Sequence, residues 1–171
     1  FESRFERWRP ELNPTAWRES TSENKGGGVL IDLHSHLVAG ALALFGPAQV
    51  AHSSVRSLRG GSNDDAHLIL EHENGVLSVL SASAISGAPG PRVRVLGRNG
   101  AIVMHDIDFQ ENSLRAGRFE PRPTKALLQR GDDMQELHPV AGDWPNFYHC
   151  VGLALDGKGE LPVAQDFALS V

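Results

Sequence analysis

The sequence predicts an α+β fold: a large, mostly antiparallel sheet of six or more strands, with one long helix and shorter helices packed on one face. Two observations predict it. The first is an apolar stripe at Leu30, Leu33, Leu37, Ala41 and Leu44, preceded by Val29. Its steps of three or four residues put these side chains on one face of a helix. The second is the run of alternating segments that follows, two of them hinged on Asn-Gly. That dipeptide suits the type I′ turn, whose twist matches the flanking strands. A helix followed by hairpins, rather than strands alternating with helices, is the pattern of an antiparallel sheet with helices segregated to one side.

Taken in order, "FESRFERW" reads as a first strand. "RPELNPTAWRESTSENKGGG" reads as a loop, being polar, interrupted by Pro10 and Pro14 and closed by three glycines. The long helix starts there and stops at Gly46-Pro47, where Gly supplies a left-handed residue and Pro refuses further helix. Gly26, Gly27 and Gly28 are expected to leave the helix N-terminus uncovered, so that a substrate or cofactor can approach the backbone. "QVAHSSVRSL" is a strand ending at Gly60-Gly61. Two strands flank Asn74-Gly75 and two more flank Asn99-Gly100. The alternation of Val93 and Val95 with Arg92 and Arg94 makes one sheet face more apolar than the other. Residues 110–143, rich in Arg, Pro, Gly and Asp, suit a long excursion or an extra hairpin. A short helix begins at Asp143 or Pro145 and carries Phe147, Val151 and Leu155 on one stripe, and "QDFALSV" begins as an Asp-capped helix.

Composition bounds the function. With 40% apolar and 22% charged residues the chain is ordinary for a globular domain, and its net charge of −5 offers no footprint for nucleic acid or an anionic membrane. Arg4, Arg7, Arg9 and Arg18 are interleaved with Glu2, Glu6, Glu11 and Glu19, which reads as a mixed, solvated surface. Cys150 is the only cysteine, so no internal disulfide forms, consistent with a reducing cytoplasm. No apolar run reaches the roughly 18–20 residues of a membrane span. Neither end looks like a natural boundary; both are expected to be cuts inside a longer protein.

The chemistry concentrates in "IDLHSHL". On a strand, Asp32, His34 and His36 would face one way and form a metal site of the kind that metal-dependent hydrolases use. On a helix, Asp32 and His36 lie about 40° apart around the axis and His34 about 200° from Asp32. The helical pattern, the hairpins that follow, and a length short of the roughly 250 residues of a hydrolase barrel all weigh against the metal reading. Two readings of Asp32 and His36 remain: a proton-transfer pair, or two side chains hydrogen-bonded to each other at a packed helix end.

The stretch "GGGVLIDLHSHLVAGALALFGP" resembles the signature helix of the Gfo/Idh/MocA oxidoreductases, whose usual form is close to "GGGxLxDLGSHLIDxxxxLFG". The opening "FESRFERWRPEL" with "WRES" is similar to the segment preceding that helix in the scyllo-inositol dehydrogenase-like branch. "RVRVLGRNGAI" and "GELPVAQDFALSV" resemble later family segments. The resemblance implies that residues 1–171 are the C-terminal substrate-binding and oligomerisation domain. It also implies an N-terminal Rossmann domain, absent from this chain, that binds NAD or NADP; no cofactor is expected on this chain alone. It implies a sugar or cyclitol substrate, His36 as the proton acceptor, and Asp32 orienting the substrate or the histidine. It further implies homodimers or tetramers formed through the open sheet face. Trp17, Arg18 and Tyr148 are candidate substrate contacts, an ordinary structural role being the competing reading for each. Two positions depart from the pattern. His34 stands where the family has Gly; it either adds a polar group at the pocket edge or, the favoured reading, sits on the exposed face. Ala39 stands where an Asp is common.

Overall fold

The computed structural model describes residues 1–20, 25–106, 110–118 and 125–171. Eight strands form one sheet: β1 (Glu2–Glu6), β2 (Ala48–Arg56), β3 (Asp65–His72), β4 (Leu77–Ser83), β5 (Val93–Gly97), β6 (Gly100–Met104), β7 (Ala126–Arg130) and β8 (Asp133–Leu137). Their spatial order is β2-β3-β4-β1-β5-β6-β7-β8. The first strand in sequence thus sits in the middle, parallel to β4 and antiparallel to β5. The other neighbouring pairs are antiparallel. The α+β architecture with a mostly antiparallel sheet is therefore as the sequence predicts, with β7 and β8 supplying the extra hairpin in the 110–143 stretch. Part of that stretch, residues 119–124, lies outside the described residues.

The helices are α1 (Trp17–Ser20), α2 (Ser35–Phe45), α3 (Gln110–Arg115), α4 (Trp144–Leu155) and α5 (Gln165–Ser170). The long helix is not α-helical throughout. It opens with a π turn over Leu30–His34 and becomes α-helical at Ser35. The loop before it is interrupted by the single turn α1.

Alternation along β3 and β4 decides the core. Leu70, Leu80 and Ala82 point to the face covered by Leu33, Leu37 and Ala41, with Phe1, Phe5, Val29 and Val38 packed around them. Burial of such side chains stabilises by roughly 1.5–3 kcal/mol each. The stripe's last member, Leu44, is exposed. Gly46 (φ +79°) ends α2, and its carbonyl lies 2.8 Å from His72 Nδ1, while His72 Nε2 meets Ser78 Oγ at 2.8 Å. That buried histidine ties the end of α2 to the sheet.

The opposite face is open and carries ion pairs within and between strands. Arg94 and Arg4 both meet Glu2. Arg56 and His67 both meet Asp65. Burial pushes the Asp65 carboxyl up, but hydrogen bonds from Arg56 and Ser83 outweigh it and hold it below the usual range. Leu77, Val79 and Leu96 are exposed.

Neither Asn-Gly pair forms a type I′ turn, because every residue with positive φ is a glycine. At the first, Gly75 N–H donates to the His72 carbonyl and His72 N–H to the Val76 carbonyl. Gly75 (φ +83°) is the left-handed residue of a three-residue loop with a bulge. Asn74 caps instead, its amide donating to the Phe45 carbonyl at the end of α2. At the second, Gly97 pairs with Gly100, so the turn is Arg98-Asn99 and Gly100 belongs to β6.

Asp143 caps α4, accepting the Asn146 N–H at 3.1 Å. The cap of α5 is Ala164, with Asp166 inside its first turn, so that helix is not Asp-capped as its sequence suggests. Among the described residues, no helix is long and apolar enough to cross a membrane.

Candidate active site

The π turn and the ends of β1 and β4 enclose a cleft of about 680 Å³. Asp32 and His36 both line it, together with Phe5, Arg7, Arg18 and Glu19. The turn explains why these two meet there. Leu33 and Leu37 must face the sheet, which leaves the positions before each of them turned toward the cleft. His34 goes the other way. It is only 1% exposed, and its Nε2–H donates to the Ala66 carbonyl of β3 at 2.9 Å. The expectation of a surface His34 is therefore corrected: the residue is a buried imidazole wedged between helix and sheet. Its Nδ1 has no partner among the described residues. Burial pushes its pKa down, partly offset by the Ala66 bond, with nearby His67 acting in the same direction as burial. Asp32, His34 and His36 do not converge on one point, and no group of three metal-ligating side chains occurs among the described residues.

Asp32 and His36 do not hydrogen-bond each other. Asp32 Oδ1 instead accepts from Arg18 Nε at 2.9 Å. Asp32 Oδ2 has no partner among the described residues. His36 is exposed and packs its ring against Phe5, centroids 6.3 Å apart. Its ring nitrogens are likewise unpartnered among the described residues.

Of the other candidates, Arg18 lies in the cleft and Trp17 beneath its guanidinium, 4.9 Å from the ring centroid. Tyr148 is not brought to the cleft. It sits on α4, 71% exposed, with its ring edge against Phe147.

The glycine triplet does not leave the helix start uncovered. Asn63 fills that space: a Cβ at Gly28 (φ +91°) would fall 2.4 Å from its side-chain amide. Asn63 accepts the Leu30 N–H on its Oδ1 at 2.8 Å and the Val29 N–H on its carbonyl at 2.9 Å. These are the orphan donors that a bound phosphate would have needed, so the triplet is no dinucleotide cradle.

Sequence reasoning missed Asn63, and it also missed Arg59 and Asp64. Asp64, 1% exposed, accepts from the backbone of Leu58 and Arg59 and from Arg59 Nε. Arg59 also reaches the carbonyls of Arg9 and Glu11 and the Glu19 carboxylate. This pair staples the N-terminal loop to the sheet and shapes the cleft wall. The only signal was "GGSND" itself, a turn sequence that does not reveal what it caps.

Two further arginines complete the electrostatics. Arg7, in the cleft, is half-buried; burial and the charge of Arg9 lower its pKa, opposed by Asp32. Arg92 stacks on Phe5 and donates to the Arg4 carbonyl. Burial, reinforced by Arg7, brings its pKa down to about 10.

Comparison with known proteins agrees with this picture. A family model, the GFO/IDH/MocA C-terminal domain, matches residues 1–103. The oxidoreductase YdgJ of Escherichia coli K12, uncharacterized, is 32% identical over 100% of this chain and 52% of its own length. The scyllo-inositol 2-dehydrogenase (NADP(+)) IolW of Bacillus subtilis is 28% identical over 98% of this chain and 49% of its own. A solved structure from Klebsiella pneumoniae superposes with a TM-score of 0.81 at 29% identity, covering 98% of this chain and 48% of that one. The chain thus spans about half the length of the curated relatives it matches. With the family motif lying on the cleft wall and the family model matching more than half of the sequence, the chain belongs to the GFO/IDH/MocA oxidoreductases, as one of their C-terminal domains.

Proposed function

We propose that the chain is the substrate-binding half of an NAD(P)-dependent dehydrogenase acting on a CH–OH group of a sugar or cyclitol. His36 takes the hydroxyl proton, and Asp32 positions the substrate. The observation that carries this reading is that Asp32 and His36 share one cleft wall, with Asp32 Oδ2 and the His36 ring nitrogens unpartnered among the described residues. Because Arg18 occupies one oxygen of Asp32, the carboxylate is fixed in place and its second oxygen is available to a substrate hydroxyl. Among the described residues no carboxylate holds His36; the Phe5 ring packs against it instead. Hydride acceptance is the chemistry a nicotinamide cofactor supplies when bound. Its dinucleotide belongs on a Rossmann domain outside this chain, because Asn63 fills the glycine triplet here. The name of the Bacillus relative, an NADP-dependent cyclitol dehydrogenase, supports the substrate class.

The test is His36→Ala in the full-length protein. Turnover is expected to fall by about 10²–10⁴-fold, the usual worth of general-base catalysis, with substrate affinity largely kept. A near-normal rate removes His36 from the mechanism.

The same reading assigns self-association to the open sheet face, where Leu77, Val79 and Leu96 stand exposed among ion pairs. Sedimentation is expected to show dimers or tetramers. A monomer across micromolar concentrations overturns this part alone.

A further inference from the structure

We propose that the cleft takes a polyol substrate that also carries an oxyanion group, a carboxylate or a phosphate, and that Arg7 is the residue that holds this anion. The inference rests on the reading of Asp32 and His36 as a hydroxyl-oxidising site and adds the charge of the substrate to it.

Five arginines and three carboxylates line the cleft. Every carboxylate has a partner. Glu19 is held by Arg59, and Asp32 by Arg18. Glu6 accepts from Ser81 Oγ at 3.0 Å and from Gly90 N–H at 2.8 Å. The arginines are not all matched. Arg7 makes no hydrogen bond or ion pair through its guanidinium among the described residues, although it is half-buried.

Arg9 and Arg18 act against the charge of Arg7 from the cleft, Asp32 and Glu19 act in its favour without bonding it, and Arg7 in turn lowers the pKa of Arg92. Arg92 makes no ion pair among the described residues either, Asp106 acting on it only at a distance; it stacks on Phe5 and bonds a carbonyl. Gathering like charges and partly desolvating them costs folding free energy. A ligand oxyanion offsets that cost, and a guanidinium matches carboxylate and phosphate geometry with two parallel hydrogen bonds.

The position also fits. Phe5 and Arg7 are two residues apart on an extended segment, so their side chains leave the same side about 6.6 Å apart. The backbone of Arg7 is still paired to Ser83, which keeps that direction. Phe5 packs against His36. One sugar-sized molecule therefore spans from the base to the guanidinium, with its hydroxyl at His36 and its anion at Arg7. This departs from the neutral cyclitol in the name of the Bacillus relative.

The test is calorimetric binding to the full-length protein of three matched pairs: gluconate against sorbitol, galacturonate against galactose, and inositol 1-phosphate against inositol. Within each pair the carbon skeleton is shared and the charge differs. At least one charged member is expected to bind roughly tenfold or more tightly than its neutral partner, the scale of a charge-assisted pair. Which pair responds separates carboxylate from phosphate. Arg7→Gln should erase the preference, and Arg7→Lys, which keeps the charge, should retain part of it; circular dichroism confirms that both fold. The proposal is overturned if no charged member outbinds its neutral partner, or if Arg7→Gln leaves the preference intact. The dehydrogenase reading fails separately, if none of the bound compounds is oxidised in a His36-dependent way.

Discussion

The stretch from Phe1 to Met104 and the stretch from Lys125 to Val171 are built on different principles. The first holds six strands and α2, and it contains every buried apolar side chain among the described residues except Ala126. The second holds a hairpin and two helices, yet neither α4 nor α5 buries a single residue. Val140, Leu155 and Leu169 are 96%, 82% and 78% exposed. The match to the family model ends at residue 103, close to the same divide. The difference teaches where the site gets its rigidity. Asp32 and His36 are fixed by a helix whose other face is locked into the core of the first stretch, whereas Tyr148 rides on a helix that this core does not hold.

Core truncation is expected to have the largest effect. Leu80 is fully buried between α2 and the sheet. Leu80→Ala is expected to cost about 2–5 kcal/mol, read from urea unfolding of the chain. Leu155→Ala should stay within about 0.5 kcal/mol, as for other exposed positions. Equal losses at the two sites would mean that the two stretches share one core after all.

Asn63 comes next. Asn63→Ala empties the space over Gly28 and strips the Leu30 N–H of its acceptor, a loss of about 1–3 kcal/mol. Asn63→Asp keeps the acceptor oxygen and should recover most of it. If the alanine variant is as stable as the parent, the π turn is held by its own backbone and Asn63 is incidental.

These two positions also show how far the sequence could be read. The period of Leu33, Leu37 and Ala41 announced both the helix and its buried face, because burial is what sets the period. The pairing of Asp32 and His36 on a common cleft followed from the same period. The π turn was invisible, since one widened turn leaves the apolar spacing nearly unchanged. Asn-Gly announced hairpins correctly but not their turn type. Asn74 was already committed to capping α2, so only Gly75 took the left-handed conformation. The parallel docking of β1 beside β4 joins residues more than seventy positions apart, and no local pattern encodes it. His34 was misplaced because an isolated histidine carries no sign of its burial. Arg7 looked solvated because the sequence does not show that Asp32 and Arg18 share its cleft.

His34 gives the third prediction. Its folded pKa lies below the ordinary 6.5, chiefly through burial. The unfolded chain therefore binds its proton at higher pH than the native chain does. This residue's contribution to stability is intact above about pH 6.5 and is lost as the pH falls below that value, with a slope of at most about 1.4 kcal/mol per pH unit. His34→Gln keeps a donor for the Ala66 carbonyl but cannot titrate. Urea midpoints measured from pH 7.5 to 5 should fall more steeply for the parent than for the variant. Parallel curves would mean that the buried ring does not stay neutral.

The smallest effect lies at the start of α4, and it tests the comparison most directly. Asp143 accepts the Asn146 N–H, and removing such a cap typically costs about 1 kcal/mol of helix stability. Whether that cost reaches the whole molecule depends on coupling. A helix without buried residues can open on its own, without disturbing the core that carries β3, β4 and α2. Asp143→Ala should therefore leave the urea midpoint in place while speeding hydrogen exchange at the α4 amides by about fivefold, the equivalent of the lost cap. A midpoint that drops by the full amount would show α4 opening only with the core. In that case the divide near residue 104 would be one of sequence likeness and not of folding.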